Sequence, residues 1–144
     1  MPFFICPNCK DRSIDHDGRQ GLLQQAVACE RCGFGFLFEL LDDYYPAQAT
    51  GFVVCDRDRR VLAIGEGIFE LTGFREADLM GQDVVEAFGL SDPAPIEMVR
   101  EWGVRQLRKP LSLRTRAGIE KPVVGDFFPG YDEDGGLLVA LTPA

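Results

Sequence analysis

Four of the five cysteines in this chain of 144 residues fall into a pattern: Cys6, Cys9, Cys29 and Cys32 read C-x2-C-x19-C-x2-C. Each Cys-x-x-Cys pair lets one tight turn aim two sulfurs at a common point. A hairpin between the pairs returns the second to the first. Four thiolates complete the tetrahedron that a structural zinc ion prefers, with no position left open for catalysis. Iron can use the same ligand set. Two disulfides would require an oxidising compartment, and a redox Cys-x-x-Cys would stand in a βαβ context that the flanking sequence lacks. The fifth cysteine, Cys55, lies in the β-like run "FVVCD" and reads as a small buried residue. His16 is the only histidine; in "DHDG" it reads as an exposed loop residue.

The remaining chemistry is sparse. A single histidine in the cysteine-bearing part allows no Ser-His-Asp set elsewhere. The carboxylates of "DRDRR", "READ" and "DEDGG" fall at turns or on polar helix faces. The G-x-G of "AIGEGIFELTG" lacks both the third glycine and the βαβ unit of a phosphate loop. Catalysis is not expected.

The elements that must position these residues divide the chain in two. Residues 1–40 hold the cysteines, turn residues and short apolar runs, with "LLQQAVAC" and "FGFLFELL" as strand candidates. A piece this small falls near the size below which a domain needs a metal, disulfides or a partner. Residues 41–50 read as a linker around Pro46, and residues 51–144 as a second domain. There, "GFVVCD" and "RVLAIG" form a hairpin around "RDR". "GIFELTG", "READLMG" and "DVVEAFGL" are short helices, the first two stopped by glycines. A longer helix is predicted over 92–109, with Asp92 as its cap, Pro93 in its first turn, and Ile96, Val99, Gly103 and Leu107 at helical spacing. "PLSLRTRAG", "KPVVGDFFPGYD" and "GLLVALTP" are strands; in the first, Leu111, Leu113 and Thr115 alternate with Ser112, Arg114 and Arg116. Strand, strand, helices, then three strands predicts an α+β fold, an antiparallel five-stranded sheet with helices on one face, preceded by a small β module.

Both parts resemble known families. "CPNCK" and "CERCGF" are similar to the two knuckles of a zinc ribbon, with Gly33 in the turn after the last ligand and Lys10 where many knuckles have glycine. From about residue 50 to 144 the chain resembles a PAS domain. The residues that carry this likeness are Asp56 at the end of a strand, the "RDR" turn, "RVLAI", "IFELTGF", "EADLMG" and the three closing strands. "GEG" stands where that family commonly has an Asn. The resemblance implies a sheet-and-helix cavity whose candidate lining is Ile64, Phe69, Leu71, Val99, Trp102, Phe127 and Val139, unless these side chains simply fill a core. Neither the N-C-R-F-L motif of flavin-binding light sensors nor a histidine over 93–109, where haem binders often place one, is present. No haem or flavin is expected, and zinc is the one expected cofactor.

The net charge is −8, with both parts acidic: four Lys and Arg against seven Asp and Glu up to Thr50, eleven against sixteen beyond it. That balance disfavours a general nucleic-acid binder. No apolar run reaches the roughly 20 residues of a membrane span, and "MPFFICPNCK" lacks the pattern of a secretory signal, so a cytoplasmic location without membrane attachment is expected. By resemblance, the reading is a signalling or regulatory adaptor that acts through homodimerisation or partner contacts. The alternatives are a nucleic-acid-binding regulator that works through its ribbon and a direct small-molecule sensor that works through its cavity.

Overall fold

The computed structural model describes residues 47–65, 67–129 and 136–144, together with the two short strands 3–5 and 38–40. Strands β1 (Phe3–Ile5) and β2 (Phe38–Leu40) pair antiparallel, Phe3 opposite Leu40 and Ile5 opposite Phe38. β2 falls within the predicted "FGFLFELL", whereas β1 has no counterpart in the sequence reading. The four cysteines, His16 and the predicted strand "LLQQAVAC" lie outside the described residues.

From Gly51 onward the chain builds five antiparallel strands: β3 (Gly51–Cys55), β4 (Val61–Ile64), β5 (Gln106–Arg114), β6 (Glu120–Pro129) and β7 (Leu137–Pro143). Their order in the sheet is β4-β3-β7-β6-β5, so the first and last strands of this body are neighbours at its centre. The β3–β4 hairpin turns on Asp56. Its carboxylate accepts the backbone N–H groups of Asp58 (2.8 Å) and Arg60 (3.0 Å), an Asx-type turn in which the side chain replaces a backbone acceptor. A register shift between Val54 and Cys55 lets Cys55 face Val61 and leaves Leu62 exposed.

Four short helices connect β4 to β5: α1 (Ile68–Thr72), α2 (Glu76–Leu79), α3 (Val84–Phe88) and α4 (Ala94–Trp102). α1, α3 and α4 end on glycines in the left-handed region, Gly73, Gly89 and Gly103. The Asp83 carboxylate caps α3 by accepting from Val85 and Glu86. Gly103 corrects the predicted long helix. At φ 65° it sends its N–H back to Val99 O and stops α4 at Trp102. Leu107 therefore lies in β5, and its helical spacing from Gly103 was coincidental.

Alternate residues of each strand meet the helices. Val53, Cys55, Leu111, Leu113, Val123, Phe127, Leu137, Val139 and Leu141 pack with Ile68, Leu71, Leu79, Val84, Phe88, Ile96 and Val99. Each such side chain contributes roughly 1.5–3 kcal/mol relative to exposure. The "GEG" segment has a steric reason. Gly67, at φ 103°, passes over β3 so closely that a Cβ would lie 2.8 Å from Thr50 O, and a Cβ on Gly51 would lie 2.7 Å from Ile68 Cδ1. Two bare backbones therefore cross where α1 begins, which places Ile68 in the core.

Candidate functional site

Five of the seven predicted lining residues converge between sheet and helices. Leu71, Val99, Phe127 and Val139 are buried in one apolar cluster, and Ile64 packs against it half-buried. Gly125 makes room for the Phe127 ring: a Cβ there would sit 2.7 Å from it. The other two residues lie elsewhere. Trp102 is 69% exposed because α4 ends at it, so the indole projects past the packed face that Val99 belongs to. Phe69 is 47% exposed, one position round α1 from the buried Ile68. Neither lines the interior.

Phe69 instead borders an open groove of about 720 Å³ between α1 and the β5–β6 turn, with Arg75, Arg116, Ile119 and Lys121 among its walls. The last carbonyls of a helix lack partners within it, and here the opposite wall supplies them. Lys121 Nζ donates to Leu71 O (3.2 Å), and Arg116 N–H donates to Thr72 O (2.8 Å). The Arg75 guanidinium lies 4.9 Å over the Phe69 ring, a cation–π contact. Arg116 is 3.6 Å from Asp78. The groove thus joins two exposed apolar side chains, Phe69 and Ile119, to three cations in a chain that is acidic overall.

A second polar constellation was not foreseen. Arg59, in the hairpin turn with φ 67°, donates from Nε and Nη2 to one Asp83 oxygen (3.1 and 2.7 Å) and from Nη1 to Glu97 (2.9 Å). Glu97 also receives Arg100, whose Nε reaches Arg57 O at 2.7 Å. This chain ties the β3–β4 turn to the start of α3 and to α4. Partial burial by itself would raise the Asp83 pKa. The Arg59 hydrogen bond, the N–H groups of Glu86 and Val85, and the Arg59 charge outweigh it and hold that carboxyl below the usual range. Sequence reading treated "DRDRR" as an exposed turn, and only the alternating charges of the segment hinted at more.

Cys55 is buried, as expected. Burial, then the charges of Asp56 and Asp83, push its thiol far above the ordinary range, so it stays protonated and inert. Among the described residues no helix is long and apolar enough to cross a membrane.

No family model matches the sequence, and no curated protein matches it either. Solved structures do match. The PAS domain of nitrogen regulation protein NR(II) from Vibrio parahaemolyticus is similar with a TM-score of 0.59 at 13% identity, over 67% of this chain and 91% of that one. The PAS domain of an HTR-like protein from Haloarcula marismortui gives 0.57 at 14%, over 67% and 83%. The light-state dimer of the fungal blue-light photoreceptor Vivid gives 0.58 at 11%, over 70% and 82%. At these identities the likeness is one of fold, and the α+β body has the PAS-like fold that its sequence resembles.

Proposed function

We propose that the chain is a non-catalytic signalling adaptor. In this reading a four-cysteine zinc module is joined to a PAS-like sensory or interaction domain that acts by dimerisation or partner binding. The observation that carries it is the fold likeness to the PAS domains of a nitrogen regulation protein and an HTR-like protein. The open groove beside α1 adds a contact surface of mixed apolar and cationic character. The pairing of Phe3–Ile5 with Phe38–Leu40 closes the ends of the segment that bears the cysteines, as a four-ligand site on a hairpin requires. No haem or flavin enters this reading.

Metal analysis, light scattering and native mass spectrometry of the purified protein test it together. The expected result is one zinc per chain, a homodimer or a stable partner complex, and no bound chromophore. Chelation should strip amide protection from residues 1–40 while α1–α4 keep theirs. A metal-free protein with that segment fully protected would refute the zinc module, and a strictly monomeric protein that captures no partner would refute the adaptor. The direct-sensor reading rests on the Ile64, Leu71, Val99, Phe127 and Val139 cluster, and a small molecule released on denaturation would favour it instead.

A further inference from the structure

The walls of the groove between α1 and the β5–β6 turn are fixed by their own hydrogen bonds. Thr115 closes that turn on itself: its N–H donates to Ile119 O (2.8 Å), and its hydroxyl accepts the Ile119 N–H (3.1 Å). Two bonds then hold the turn against α1, Arg116 N–H on Thr72 O and Lys121 Nζ on Leu71 O. The walls come close at the helix stop, since a Cβ on Gly73 would lie 3.6 Å from Arg116 Cβ. On this frame Phe69 and Ile119 both stand half exposed at the groove. A site held in this way loses little freedom when something binds to it.

The charge of the lining runs against that of the chain. The chain carries −8, yet Arg75, Arg116 and Lys121 line the groove against one carboxylate, Glu70, whose oxygen accepts the Gly67 N–H at 3.0 Å. A guanidinium offers five N–H donors and an ammonium three. Arg75 rests over the Phe69 ring, a contact made by charge. The Arg116 side chain is 64% exposed and stands 3.6 Å from Asp78, too far for a hydrogen bond. Lys121 uses one donor on Leu71 O. We propose that the groove takes a short acidic peptide segment of a partner protein. An apolar side chain of that segment lies between Phe69 and Ile119, and its carboxylates meet the forked donors of Arg75 and Arg116. This rests on the adaptor reading and gives its partner a chemistry. A nucleic acid or an anionic membrane would bring many negative charges against a chain of the same sign, whereas a few carboxylates match three cations.

The test uses the full chain and a labelled synthetic peptide in which a phenylalanine-leucine pair is flanked on each side by glutamates. Fluorescence anisotropy should show saturable binding that weakens about tenfold in Arg75→Gln/Arg116→Gln and about fivefold in Ile119→Ser. The same peptide with glutamine for glutamate should bind the wild type about tenfold more weakly. Amide shifts should move within 69–75 and 115–121 and stay put in α4. All three substituted side chains are exposed, and if a variant nonetheless unfolds, the wild-type shifts and the glutamine peptide still decide. No saturation below about 2 mM overturns the proposal. So do equal affinity for the glutamine peptide, shifts confined to other surfaces, or phosphatidylserine vesicles or duplex DNA that bind through Arg75 and Arg116 where the peptide does not. Metal content and oligomeric state are read separately, so a zinc-loaded dimer that ignores the peptide overturns this proposal and leaves the adaptor reading standing.

Discussion

The two faces of the five-stranded sheet are almost equally dry, but they reach that state by different means. The inner face is covered by four helices close in sequence, three of them placed by a local signal: a crossing glycine, an aspartate cap, or a left-handed stop. The outer face carries residues just as apolar, and no described helix packs on it. The contrast shows that strand alternation alone cannot identify a one-sided sheet. β3 is buried at all five positions, and β7 at its first five. Such near-continuous apolar runs belong to strands covered on both sides.

Matched truncations test the comparison most strongly. Phe127→Ala on the inner face should cost about 3–5 kcal/mol by denaturant unfolding. Phe52→Ala on the outer face should cost nearly as much if that face is equally covered. A loss below about 1 kcal/mol would mean that it is wet in solution. Next in size is Gly67→Ala, which puts a Cβ against Thr50 O at a backbone angle unfavourable to side chains. We expect a loss of about 2 kcal/mol or more, with α1 rather than the outer face losing exchange protection.

Asp83→Asn should have a smaller effect, of about 1 kcal/mol, and one that depends on pH. Because the folded-state pKa is lowered, the stability that Asp83 adds is complete above its ordinary value of 3.8 and is lost as pH falls through the depressed one. The variant should therefore unfold with a shallower acid slope below about pH 4 and differ from wild type mainly at neutral pH. An unchanged acid slope would show that the Arg59 pairing is absent in solution. Smallest of all, Ile119→Ser at the 58%-exposed groove wall should move stability by under about 0.5 kcal/mol. If it nonetheless weakens partner capture, the groove is an interaction surface.

Much of the architecture is legible in the sequence. The hairpin around Asp56 and the three closing strands were written in alternation and turn chemistry. The helix stop at Gly73 was written in its glycine, whereas α2 ends one residue short of the expected Gly81, with Met80 as its cap, and the stop of α3 at Gly89 was not read. What escaped has a common cause. The Arg59 pairings span 24 and 38 residues, a separation that no local pattern encodes. Phe69 and Trp102 were placed inside because they are large and apolar, but their exposure depends on where α1 turns and where α4 ends. Cys6, Cys9, Cys29 and Cys32 rest on spacing alone, which defines a ligand set without showing what surrounds it.

The central position of β3 beside β7 has a mechanical consequence. Gly51 lies opposite Leu141, and the hydroxyls of Thr50 and Thr142 meet at 2.8 Å. Whatever is attached ahead of Thr50 and whatever follows Thr142 thus leave from the same end of one antiparallel ladder. Tension between them would load its hydrogen bonds one pair at a time, like the teeth of a zip, instead of all together in shear. The body should open under a small force from that seam, starting at the threonine pair, and a pull on the upstream segment would reach the middle of the sheet before it reached any helix.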